Sequence, residues 1–217
     1  MNILRYACGV ALALTGAAPF FFSEAGRAAA EEVYAIEIAG ETLDLPGAYI
    51  WNRDLRRDGD VASINLFMEL PDLSPLPEAD GTESAMAEGF GQVISVNLTD
   101  LEFDGTPAEL LREGDERGRW NAEIVDMDRD GIHLLYGTIT DPNRWYVLVE
   151  DGEVDLLMSC LTDEEVPYPS CTAHATAWDA VAVIMVFDLQ RLPHAAELRD
   201  RVVARLSSFR RPEVISQ

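Results

Sequence analysis

A chain of 217 residues, 48% hydrophobic and 25% charged, has the composition of a protein with a packed core rather than of a disordered one. Its 39 acidic residues outnumber 16 basic ones, every one of them Arg, for a formal net charge of −23. A field of that sign repels phosphate backbones and anionic lipid surfaces, which argues against nucleic acid as a partner and for cations or a basic protein.

The N-terminus reads as an address. Arg5 supplies a positive start, residues 6–22 carry no charge, and Ala28, Ala29 and Ala30 place small residues before Glu31. This is the layout of a secretory signal peptide cleaved near Ala30. The apolar run is at the short limit for a membrane span, and Gly9, Gly16 and Pro19 interrupt it. Cys8 follows Arg5-Tyr6-Ala7, which lacks the aliphatic residue that a lipid-anchoring motif wants. The expectation is a cleaved segment 1–30 that meets the membrane only in transit. Residues 31–217 would follow as a single globular domain in the bacterial periplasm or outside the cell.

Residues 33–38 predict a first strand and 42–45 a second, with Pro46-Gly47 ending the pairing. A further strand is expected at 48–51, then a charged loop to Asp60. Across 61–70 one alternate set, Ala62, Ile64, Leu66, Met68 and Leu70, is wholly apolar, the period of a half-buried strand. The long connection 71–89 is rich in Pro and acids, with room for a short helix at 83–87. Strands follow at 90–98 and 101–103. Thr106 before Pro107 marks a helix start running to Arg112.

Residues 120–127 and 132–140 predict a hairpin about Asp128-Arg129-Asp130-Gly131, since Asp-Gly between apolar runs is a hairpin turn signal. Strands at 145–149 and 154–158 repeat the arrangement, as do 173–178 and 181–188. The last element is a helix from Pro193 to Phe209, with Ala195, Leu198, Val202, Leu206 and Phe209 on one stripe. No period of the length used by solenoids or propellers recurs. The fold class expected is α+β: mainly antiparallel β-sheet built from hairpins, with one C-terminal amphipathic helix packed on the sheet.

In an exported chain, Cys160 and Cys171 lie in an oxidising compartment and pair as a disulfide. Closing so short a loop stabilises the fold by about 3 kcal/mol in the chain-entropy model. Two separated thiols are too few for a metal site, and the Cys-x-x-Cys spacing of redox enzymes is absent. Within that loop Tyr168 stands between Pro167 and Pro169, an aromatic on a stiff, stapled segment, which suits a binding anchor. A core-capping role is the alternative for the same ring.

Asp126, Asp128 and Asp130 before Gly131 resemble the first half of an EF-hand calcium loop. The resemblance implies carboxylate ligands at those three positions and a carbonyl at Ile132. It fails at Gly137, where the family needs a bidentate Glu, and at His133, where it has an aliphatic residue. Calcium is thus the single cofactor that the sequence leaves open, and a plain hairpin turn is the competing account. Of the three histidines, His194 and Glu197 are spaced i, i+3 on the last helix, His174 and Asp179 flank a strand end, and His133 sits beside the acidic turn. No Gly-x-Ser-x-Gly elbow or Gly-rich phosphate loop is present, and the neighbours Ser170, Cys171 and His174 do not by themselves make a triad. The profile is that of an exported, acidic, non-enzymatic protein that binds a basic envelope or secreted protein, inhibitor- or immunity-like. A hydrolase whose site is not linear in sequence, or a calcium-binding module, are the alternatives.

Overall fold

The computed structural model describes residues 32–76, 91–136, 143–161, 166 and 168–212. The segment 1–30 expected to be cleaved, residues 77–89 of the acidic connection, on which the short helix at 83–87 was expected, the end of the strand expected at 132–140, and Pro167 lie outside the described residues.

β1 (Val33–Ile38) turns at Ala39-Gly40 into β2 (Glu41–Pro46), and β3 (Gly59–Asp60) adds to β1 in parallel, giving a small sheet of order β2-β1-β3. Residues 48–51 do not form a strand. Pro46 leads into a 3-10 turn at Gly47–Tyr49, and only a single bridge joins Ile50 to Leu66. β4 (Ser63–Glu69) and β5 (Ser74–Pro75) come next, then β6 (Val93–Asp100).

The strand expected at 101–103 is instead a one-turn helix, α1 (Leu101–Asp104). The Asp100 carboxylate accepts a hydrogen bond from the Glu102 N–H, and Gly105 closes the turn at a φ of 73° that side chains rarely adopt. α2 (Pro107–Glu116) starts at a full capping box: the Thr106 hydroxyl accepts from the Glu109 N–H while the Glu109 carboxylate accepts from the Thr106 N–H.

β7 (Gly131–Leu135), β8 (Arg144–Glu150), β9 (Glu153–Cys160), β10 (Ser170–Trp178) and β11 (Val181–Asp188) complete a large sheet of order β5-β4-β6-β11-β10-β9-β8-β7. Neighbouring strands in it are antiparallel. The hairpin expected between 120–127 and 132–140 does not form. Ala122–Ile124 is a 3-10 turn, and β7 pairs with β8.

α3 (Ala195–Ser207) follows a 3-10 segment at Leu189–His194. Its buried stripe of Ala195, Leu198, Val202 and Leu206 packs on one face of the large sheet, beside the small sheet's Ile36, Ile38, Leu43 and Leu45. The chain leaving α3 runs along β2: the Asp44 N–H donates to the Phe209 carbonyl at 2.7 Å and the Arg211 N–H to that of Thr42 at 2.9 Å. On the opposite face of the large sheet, Leu111 of α2 and Trp120 pack on Val147, Val149 and Leu157. The molecule is therefore an antiparallel sheet carrying its C-terminal helix on one face, the α+β class read from the pattern of elements.

Candidate functional site

Cys160 and Cys171 are register partners across β9 and β10, and their sulfurs are bonded at 2.04 Å. Both are fully buried in the larger core. Beyond the disulfide, the Leu161 N–H donates to the Ser170 carbonyl at 2.9 Å, and the Leu189 N–H donates to the Pro169 carbonyl at 3.1 Å. Pro169 is therefore a half-buried support tied to the start of the 3-10 segment. Tyr168 is 50% exposed at this end of the sheet. Tyr168 and Pro169 thus stand just before Cys171 in the chain, Pro169 tied by its carbonyl and Tyr168 half exposed.

The acidic turn lies elsewhere. Asp126, Asp128 and Asp130 are exposed, and the Arg129 N–H donates to the Asp126 carbonyl. The Asp130 carboxylate accepts from the Asp151 N–H at 2.9 Å, and the Met127 carbonyl sits against Gly152. The turn thereby braces the β8–β9 turn, where Asp151 and Gly152 take φ of 50° and 79°. Among the described residues no group of three or more His, Cys, Asp or Glu is placed to hold a metal ion.

The histidines are separated. His133 makes a 3.0 Å contact through Nε2 with the Arg129 carbonyl, and His194 immediately precedes α3. His174 lines a small cavity of about 190 Å³ with Trp120, Trp145, Leu157 and Gly114. Burial lowers the pKa of His174, opposed by the charge of Asp104. Ser170 and His174 share a strand face four residues apart, about 13 Å along the chain, too far for a hydrogen bond. The Cys171 between them is consumed by the disulfide.

Several arginines prove to be structural ties that linear reasoning did not find. Arg205 donates to the Tyr49 hydroxyl at 3.1 Å through Nε, and that hydroxyl donates in turn to the buried Leu73 carbonyl at 3.1 Å. The same guanidinium lies 5.5 Å from the Tyr49 ring and 5.4 Å from that of Phe209. Arg210 pairs with Glu41 and lies over Trp178, Arg211 pairs with Asp44, and Arg199 gathers Glu150, Asp155 and Asp200. Arg199, Arg210 and Arg211 are each held by acidic partners, and the 39 acidic residues against 16 arginines leave the chain strongly negative.

No protein-family model and no curated protein matches the sequence. Among solved structures, the chain is similar to Smlt3025, an immunity protein of the Stenotrophomonas maltophilia type IV secretion system. The TM-score is 0.56 at 14% identity, over 84% of this chain and 94% of that one. The likeness is one of fold. The Neisseria meningitidis iron-regulated outer membrane lipoprotein FrpD is also similar, with a TM-score of 0.46 and 9% identity over 83% of this chain and 93% of that one.

Proposed function

We propose that this chain is an exported, acidic, disulfide-bonded protein without enzymatic activity that binds a basic protein of the cell envelope, in the manner of an inhibitor or immunity protein. The observation that carries the reading is the likeness in fold, over 84% of the chain, to a structure described as an immunity protein. Charge supports it: an acidic surface steers a basic partner and repels nucleic acid and anionic lipid. The buried Cys160–Cys171 bond supports a life in an oxidising compartment, the periplasm or beyond it, after removal of residues 1–30. Residues 31–217 act as the working unit. Tyr168 serves as an anchor, because its exposed ring projects from backbone already fixed by the disulfide and by the Pro169–Leu189 hydrogen bond.

The test is capture. Oxidised protein beginning at Glu31 is immobilised and exposed to envelope and secreted fractions of its host at low and moderate salt. The expected result is one near-stoichiometric basic protein, held less tightly as salt rises, with capture lost in the Tyr168→Ala bait. Nothing recovered above background at either salt would overturn protein recognition.

A further inference from the structure

At the end of the large sheet opposite the stapled loop, β6 finishes and β11 begins, with Asp100 beside Val181. Three segments meet there around a cleft of about 410 Å³. The β1–β2 turn contributes Ala39, the β3–β4 link contributes Asp60, Val61 and Ala62, and the β6–α1 corner contributes Asp100 and Phe103.

Phe103 is 78% exposed, more than any other large apolar side chain among the described residues. A single exposed apolar residue needs no explanation, but the turn that carries this one is fixed by hydrogen bonds on both sides of it. The Gly105 N–H donates to the Leu101 carbonyl at 2.7 Å, the Leu101 N–H to the Ala180 carbonyl at 3.0 Å, and the Glu102 N–H to the Asp100 carboxylate at 2.8 Å. The turn that carries the ring is therefore fixed before anything touches it, the condition under which an aromatic contributes most to binding. Asp60 and Asp100 line the same cleft and carry no ion pair among the described residues, unlike Glu41, Asp44 and Asp155, which arginines neutralise.

We propose that this cleft receives an arginine side chain of a basic partner protein. The inference rests on the protein-binding reading above and names the chemistry of one contact. A guanidinium is planar and weakly hydrated, so it stacks on the open face of the Phe103 ring while its edge pairs with Asp60 and the free side of Asp100. The methylene stem lies along Ala39, Val61 and Ala62. Lysine fits less well, because its compact ammonium keeps its water and cannot stack. The general acidity of the surface draws cations everywhere; an exposed ring lining one cleft with two carboxylates that carry no ion pair among the described residues selects where an arginine stays.

The test needs no partner protein. N-acetyl-arginine amide is titrated into the oxidised, isotope-labelled protein and followed by amide NMR, with N-acetyl-citrulline amide as the neutral isostere. The expected result is a saturable shift centred on residues 60–62, 100 and 103, at least fivefold smaller with citrulline. Binding should be at least tenfold weaker in Phe103→Ala and in Asp60→Asn, two exposed positions whose variants keep the wild-type melting temperature. Shifts spread evenly over the acidic surface, or unchanged in both variants, would overturn the proposal. Partner capture and this titration fail separately: a saturable cleft response without a captured protein removes the function proposed above, and capture without the cleft response removes this contact.

Discussion

Asp155 is the extra residue of a bulge in β9, and Arg199 of α3 closes over it. Leu148 of β8 faces Leu156 while Val149 faces Val154, so Asp155 has no partner across the ladder. The break in alternation leaves its carboxylate on the helix side of the sheet, in an ion pair with Arg199. The buried Asp155 Oδ2 has no other donor among the described residues. Burial acts to lower the Arg199 pKa, and the hydrogen bonds and charges of Asp155 and Asp200 more than reverse it, so it is raised overall.

Removing the cation strands that carboxylate. Arg199→Met is expected to destabilise the fold by about 2–4 kcal/mol, below the value for a fully buried pair because the side chains of Glu150 and Asp200 remain largely in water. Asp155→Asn should cost less, and the double variant less than the sum. Urea unfolding of the four proteins measures the coupling; additive costs would mean the pair does not lock α3 to β9.

Gly114 is required by a ring. A Cβ at that position would lie 1.8 Å from Cζ2 of Trp120, whose Nε1 donates to the Leu111 carbonyl at 2.9 Å. Alanine normally stabilises a helix relative to glycine by about 1 kcal/mol. Here the clash wins: Gly114→Ala should destabilise by about 1–3 kcal/mol and shift tryptophan emission toward that of a wetter indole. A more stable variant with unchanged emission would show that the ring yields at no cost.

The disulfide joins the register partners Cys160 and Cys171 and closes a loop with a sequence separation of 11. The Cys160→Ser, Cys171→Ser double variant should lose about 2–4 kcal/mol, and reduction of the wild type should lower its melting temperature to near that of the variant. Scanning calorimetry with and without reductant reads both.

His174 contributes an acid sensitivity. Its folded pKa is lowered from 6.5, chiefly by burial, so the unfolded chain takes up the proton first. The contribution is fully present above pH 6.5 and is lost as pH falls below it. A His174→Asn variant, compared with wild type by thermal melting from pH 7.5 to 5, should lose less stability over that interval. Parallel curves would remove His174 from the acid response.

Much of this architecture is local in origin and hence legible. β1, the apolar alternation within 61–70, the β8–β9 and β10–β11 hairpins and the stripe on α3 follow from side-chain period and turn chemistry acting over a few residues. The disulfide was readable too, because Cys160 and Cys171 are the two cysteines outside the apolar N-terminal run that holds Cys8. Residues 101–103 looked like a strand by apolar content, although Asp100 and Gly105 bracket them as caps, a signal that could have revealed the turn presenting Phe103. Residues 120–127 looked like a strand for the same reason, but Trp120 instead packs against α2, and β7 pairs with β8.

The sequence by itself determined the charge and the class of fold and pointed to the disulfide, because composition, period and two cysteines flanking one short loop need no knowledge of distant neighbours. Only the tertiary structure decided the strand order, the Arg199–Asp155 lock, the chain of contacts from Arg205 through Tyr49 to Leu73, and the meeting of Asp60 with Phe103. Each of these joins residues far apart in the chain, and such pairings are selected by the packing of whole elements after the local pattern has been spent.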